Sequence, residues 1–226
     1  MKKICIALSF GVETIPVKWE KWFKEKLSTF NYLSVREEAG ARIIKKLIGK
    51  KAEVVIDPTL VLEKDEWLKI LKKPNSIKDG AYVLTYFIGG MRSDVRKQLV
   101  NYASEKNLKI YNLLDDEQPD LYVTDPCELL YLILHASLVL TDSSHACVFS
   151  FLFSIPFYVY NRLGVKENMN SRIDTLLTLL KLNRKCEWSE CSNDIWEHDY
   201  TEGCKALQGE REKAVLFLKK SLGGNQ

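Results

Sequence analysis

Leu138-Val139-Leu140-Thr141 is an apolar run that meets the polar turn Asp142-Ser143-Ser144-His145 and passes at once into Ala146-Cys147-Val148-Phe149-Ser150. A short apolar run bounded by a turn reads as a buried strand, and the apolar stretch after it as a buried helix. The junction sets Ser143, Ser144 and His145 at a helix N-terminus, where free backbone N–H groups and the helix dipole favour an anion such as phosphate. Pattern alone fits a plainer reading equally well, with Ser143 as a helix cap and His145 as a surface residue.

Outward from this junction the chain keeps the same rhythm. Downstream, Phe157 to Tyr160 reads as a strand and Ser171 to Leu182 as an amphipathic helix. Upstream, Tyr82 to Phe87 and Lys109 to Leu113 read as strands. Ser93 to Lys106 and Pro126 to Ser137 read as helices, the latter capped by Asp125. Nearer the start, strands are expected at Lys3 to Leu8, Tyr32 to Val35 and Val54 to Ile56. Between them come the turn Ser9-Phe10-Gly11, a helix with Pro16 in its first turn, and a helix from Glu37 to Ile48 stopped by Gly49. Trp19, Trp22, Phe23 and Leu27 recur at helical spacing, so core packing is expected of the two indoles, as of Trp67. Strands alternating with helices at this spacing make an α/β fold of parallel, doubly wound sheets, with ligands outside the strands' carboxyl ends. The polar stretch 72–80 looks like a connection between domains. The expected division is 1–62, 63–190 and a helical tail, 191–226, that packs back on the first domain.

Composition narrows the function classes. Hydrophobic residues make up 46% of the 226 positions, enough for a core on the scale of one large or two small domains. Lys and Arg number 33 against 30 Asp and Glu, scattered along the chain, which disfavours nucleic acid as a partner. No apolar run approaches the roughly 20 residues of a transmembrane segment, and a soluble cytoplasmic protein is expected. The six cysteines read as free thiols. Cys186, Cys191 and His198 lie close in sequence but match no zinc spacing, so no metal is expected.

Asp142 to Ser150 resembles the Asp-Ser-Phe-His-Gly-Thr-x-Phe-Ser signature of the polysaccharide pyruvyl transferases. Ser34-Val35-Arg36-Glu37 with Gly40, Asp57-Pro58-Thr59-Leu60, Ser9-Phe10-Gly11, and Ser171-Arg172 with Leu176, Leu177, Leu182 and Arg184 resemble further segments of that family, in its order. The resemblance implies two Rossmann-like halves in a GT-B-like two-domain architecture, with the active site in the cleft between them. It implies phosphoenolpyruvate as donor substrate, no separate cofactor, and a sugar or lipid-linked oligosaccharide as acceptor, met at the inner face of the membrane. Two departures stand out. The family's members open well before the segment that Ser9-Phe10-Gly11 resembles, so the N-terminal half is expected to be largely truncated. The histidine motif has Ser144 for the aromatic residue and Ala146-Cys147 for Gly-Thr.

The chemistry implied is transfer of a pyruvyl group to sugar hydroxyls as a ketal. It needs groups that hold a phosphate and a carboxylate, supply a proton, and accept protons from the attacking hydroxyls. Arg36 matches the family arginine associated with the donor, and its planar fork suits an oxyanion. Read as a sequence alone, Arg36 would sooner pair with Glu37 or Glu38 at a solvated helix start. His145 is the acid–base candidate, and Asp142 would orient its imidazole or else cap the turn. Ser143 and Ser144 stand with Arg36 as substrate ligands, and Arg172 and Arg184 are further anion ligands or surface charges. His135 reads as a core histidine, and His198 has no evident role. The alternatives are a glycosyltransferase with a nucleotide-sugar donor and a noncatalytic family member.

Overall fold

The computed structural model describes residues 2–78, 80–116, 118–164, 171–182 and 198–223. They fall into two compact units. The first comprises 2–61, 171–182 and 201–223, and the second runs from Leu62 to Gly164 with 198–200. Residues 171–182 thus group with the first unit, whereas the sequence-based boundaries set them in the second.

In the first unit, β1 (Ile4–Leu8), β2 (Tyr32–Val35) and β3 (Glu53–Val54) form a parallel sheet in sequential order. The crossovers are α1 (Val17–Ser28) and α2 (Glu38–Ile48). Right-handed connections between neighbouring parallel strands place both helices on one face. Leu27 of α1 and Ile43, Ile44 and Leu47 of α2 pack there with Leu33 and Val35. Trp19 and Trp22 do not follow the expectation of core packing: they are 50% and 49% exposed. The inward face of α1 runs through Phe23 and Leu27, and a step of 100° per residue turns the two indoles onto its flank. The unit is completed by α8 (Ser171–Leu179) and α9 (Thr201–Leu222). Arg211 of α9 donates from Nε to the Leu60 carbonyl, 2.8 Å away, beside a 3-10 turn at Pro58–Leu60. The inward face of α9 is Gly203, Leu207, Ala214, Phe217 and Ser221, and Leu222 lies exposed one step past it.

In the second unit, β4 (Tyr82–Tyr86), β5 (Lys109–Leu113), β6 (Leu138–Thr141) and β7 (Phe157–Val159) form an all-parallel sheet in the order β5-β4-β6-β7. Its helices are α3 (Lys64–Leu68), α4 (Ser93–Glu105), α5 (Pro119–Tyr122), α6 (Pro126–Leu134) and α7 (Ser144–Phe153). Leu138 and Leu140 lie wholly buried against Val83 of β4 and Val95 and Leu99 of α4. The chain leaves β4 in one direction toward β5 and returns past it to β6. Right-handed crossovers therefore put α4 on one face and α6 and α7 on the other. The crevice between the carboxyl ends of β4 and β6 is the topological switch point, where doubly wound sheets take their ligands. Asp125 caps α6 through a reciprocal box with Glu128, as its place before an apolar run predicts. His135 is the C-cap of α6, exposed and stacked on Tyr131 at 4.0 Å, and so not a core histidine.

Candidate functional site

The carboxyl edge of the second sheet is tied together by one buried carboxylate. Asp142 follows β6 directly, and its side chain is wholly buried. Oδ1 accepts the Ile88 N–H at 2.7 Å, and Oδ2 accepts the Gly89 N–H at 2.9 Å. The guanidinium of Arg162, from the loop after β7, approaches Oδ2 at 3.4 Å from Nε and donates from Nη2 to the Asp142 carbonyl at 3.0 Å. A buried carboxylate persists only with such partners. Three loops, after β4, β6 and β7, are held by this arrangement. Gly89 is required by space: a Cβ there would stand 2.5 Å from Arg162 Cγ and 2.8 Å from the Leu163 carbonyl oxygen.

The next turn opens α7. The Ser143 N–H donates to Thr141 Oγ1 at 2.9 Å, and that hydroxyl donates to the Tyr86 carbonyl at 2.6 Å. Ser143 occupies the N-cap position in extended conformation and is buried, with no capping hydrogen bond from its side chain. From Ala146 to Phe153 every residue of α7 is buried. Ser144 is half-buried and His145 exposed, so the helix meets solvent through its N-terminal turn. An N-terminal turn that opens to solvent at a switch point can present backbone N–H groups and an imidazole to an anion. Ala146 is wholly buried, so its methyl group is absorbed in packing. Burial also pushes the Cys147 thiol well up from its ordinary range, which leaves it inert as a nucleophile.

A cavity of about 300 Å³ opens over the ends of β4 and β5. Thr85, Phe87, Met91, Arg96, Asn112 and Asp115 line it, with Arg96 Nη2 2.7 Å from Asp115 Oδ2.

The carboxyl edge of the first sheet gathers a second polar set. Arg36 follows β2 and forms an ion pair with Asp57, beyond β3. Asp57 also accepts the N–H and hydroxyl of Thr59 at 3.0 and 2.8 Å. Burial alone would raise its carboxyl, yet the Thr59 hydrogen bonds and the Arg36 charge hold it below the usual range. Glu37 is fully buried and turns away from Arg36. Its Oε1 accepts the N–H groups of Phe10 and Gly11 at 2.6 and 3.2 Å, which docks the β1–α1 loop onto the end of β2. Buried and without a hydrogen bond here are Glu37 Oε2, Arg36 Nε, Ser9 Oγ and Ser171 Oγ. The guanidinium of Arg172, from the first turn of α8, lies 3.7 to 3.8 Å from where a Gly11 Cβ would be. An edge with two arginines and unsatisfied buried polar atoms is equipped to hold a small polar ligand.

Against this geometry, the family profile described as polysaccharide pyruvyl transferase matches residues 1–163. The chain belongs to the polysaccharide pyruvyl transferase family. No curated protein matches it in sequence. Among solved structures, a variant of the wall teichoic acid polymerase TagF is similar at 16% identity, with a TM-score of 0.42 over 91% of this chain and 59% of that one. This pyruvyl transferase family member thus spans less than two thirds of that structure's length.

The family's recurring motifs fall into two sets by unit. Arg36 and Arg172 belong to the first, and Asp142, Ser143, Ser144 and His145 to the second. Arg184, Cys186 and Cys191 lie outside the described residues. Arg36 pairs with Asp57, and neither Glu37 nor Glu38 takes that place. Asp142 accepts the N–H groups of Ile88 and Gly89 in the β4–α4 loop. Sequence reasoning missed Glu37, Gly89 and Arg162. A glutamate after a strand reads as surface, and only the Gly89-Gly90 pair signalled that backbone approaches closely there. Among the described residues no cluster of His, Cys, Asp or Glu suits a metal ion, and no helix is long and apolar enough to cross a membrane.

Proposed function

We propose that this protein is a pyruvyl transferase that takes phosphoenolpyruvate as donor and a sugar hydroxyl as acceptor, forming a ketal. The observation that carries the reading is His145, exposed on the first turn of a helix that is otherwise buried, at the switch point of a parallel sheet. The α7 N-terminus meets the donor phosphate, and His145 delivers a proton to the methylene carbon of phosphoenolpyruvate. The adjacent carbon then becomes electrophilic, a hydroxyl adds there, phosphate departs, and a second hydroxyl closes the ketal. Arg36 and Arg172, at the carboxyl edge of the first sheet, are charged groups of the kind that bind oxyanions. Asp142 acts through structure, by keeping the β4–α4 loop against the turn that bears His145. The acceptor is a saccharide, free or lipid-linked, and the cavity bordered by Arg96, Asn112 and Asp115 suits a hydroxyl-rich ligand.

The test is donor-dependent pyruvylation. The chain is incubated with phosphoenolpyruvate and a panel of saccharide acceptors, and phosphate release is measured together with ketal formation by mass spectrometry. Wild type is expected to release phosphate only when acceptor is present, and His145→Ala is expected to lose at least about 100-fold in rate, the usual range for a removed general acid. Turnover on a nucleotide-sugar donor, with none on phosphoenolpyruvate, would replace this reading by glycosyl transfer.

A further inference from the structure

Helix α1 keeps a flank that the fold does not cover. It packs inward through Phe23 and Leu27, and the 100° helical step gathers Trp19, Trp22 and Lys26 along one side, with Lys18 beside them. Trp19 and Trp22 are 50% and 49% exposed, and Val17 at the helix start is 83% exposed. Trp22 stands edge-on to Phe23 at 5.1 Å, which fixes one indole from below, while the Lys18 ammonium lies 5.8 Å over the Trp19 ring. Two large aromatic side chains left half in water on one helix flank mark an interaction surface.

Charge selects the occupant. Residues 2–61 hold twelve Lys and Arg against seven Asp and Glu, although the whole chain has only 33 against 30. The positive excess of the protein therefore resides in this segment. Lys18 and Lys26 stand exposed along the two indoles with Glu25 at the edge, whereas the 100° step carries exposed Lys21 and Lys24 to the other side of α1, and Glu20 is engaged by Lys46 at 2.7 Å. Indoles carry an apolar body and a polar N–H, the combination found at lipid headgroup level, and flanking lysines are attracted to an anionic leaflet. A convex helix lacks the groove through which nucleic-acid backbones are tracked.

We propose that the Trp19–Trp22 flank of α1 is a peripheral membrane contact for anionic bilayers. The inference stands apart from the donor chemistry and is read by binding alone. In the experiment, the full chain is mixed with vesicles of phosphatidylcholine and with vesicles of phosphatidylcholine and phosphatidylserine at roughly 7:3, and co-sedimentation is followed with indole fluorescence. Partition is expected to be about tenfold stronger on the anionic vesicles, with a blue shift of indole emission and weakening by salt. Trp19→Ala with Trp22→Ala should cut that partition about tenfold and leave the unfolding transition in place, since both rings are half-exposed. Lys18→Glu with Lys26→Glu is the second variant, and it should abolish the preference for anionic lipid while keeping the indoles. Equal partition on both vesicles, or binding indifferent to the tryptophans, overturns the proposal. So does a dimer in sedimentation equilibrium that Trp19→Ala with Trp22→Ala dissolves, which would assign the flank to a second copy. Preferential capture of single-stranded RNA over vesicles overturns it as well.

Discussion

The Asp142 carboxylate holds the backbone of Gly89, accepting its N–H at 2.9 Å from a side chain with no solvent exposure. Because Ile88 donates to the same carboxylate at 2.7 Å, an amide at this position would set an NH₂ group against one of two backbone donors. Asp142→Asn is therefore expected to destabilise the second unit by about 2 to 4 kcal/mol, the range for breaking a buried charged hydrogen-bond set. Denaturant unfolding checks this, and a change under about 0.5 kcal/mol, typical of a surface site, would contradict it.

Neighbouring glycines separate space from backbone conformation. A methyl group at Gly89 meets Arg162 Cγ at 2.5 Å and the Leu163 backbone at 2.8 Å, whereas Gly90 has φ +79° with nothing within 4 Å. Gly89→Ala should cost about 1 to 3 kcal/mol through overpacking and dislodge Arg162 from Asp142. Gly90→Ala should cost about 1 kcal/mol, from the left-handed backbone alone. Equal costs, measured by thermal and denaturant unfolding, would show that the Arg162 loop yields freely.

Glu37 gives a contrast between its two oxygens. Glu37→Gln retains a carbonyl oxygen for the Phe10 and Gly11 N–H groups, while Glu37→Ala leaves both donors without an acceptor. The alanine variant is expected to lose about 2 to 4 kcal/mol of stability, and the glutamine variant less than half of that. Amide hydrogen exchange at Phe10 and Gly11 should accelerate in the alanine variant first. Identical exchange in the two variants would remove Glu37 from its place as the loop's anchor.

Asp57 links stability to acid. Its folded carboxyl sits below the ordinary value, so the stability it contributes is present above the unfolded pKa of about 3.9 and is lost as pH falls through the folded value. Wild type should lose stability below about pH 4, and Asp57→Asn, lacking that charge, should show a flatter acid limb in stability against pH. Parallel acid limbs in the two proteins would contradict the shift.

The elements legible in the sequence were those with strong local signals. Leu138 to Thr141 became β6 because all four residues are buried, and Gly49 follows α2 as its terminator. The expected α8 end at Leu182 and α6 end at Ser137 ran three residues too long: Lys181 turns to φ +52° and Leu182 closes back on the Leu177 carbonyl at 2.8 Å, while His135 leaves the helical conformation as the C-cap of α6. The tryptophans of α1 were misjudged because helical spacing gives a stripe but not its centre; that is set by the sheet beneath, which selects Phe23 and Leu27. At the candidate site, the motif residues Arg36, Ser144 and His145 could be named in advance. Their supports could not, because Asp57, Ile88 and Arg162 lie 21, 54 and 20 positions from their partners and meet them only once the sheets form.

The central claim is the proposal that phosphoenolpyruvate is the donor, met by His145 at the α7 N-terminus. Calorimetric titration of the chain with phosphoenolpyruvate and, separately, with a nucleoside diphosphate tests it most directly, repeated for His145→Ala. Each charge-assisted contact contributes about 1.5 to 3 kcal/mol before the cost of ordering the ligand, so binding of phosphoenolpyruvate is expected at roughly millimolar affinity and should weaken about tenfold or more in that variant. Tighter binding of the nucleotide, or phosphoenolpyruvate binding that the substitution leaves unchanged, would contradict the account.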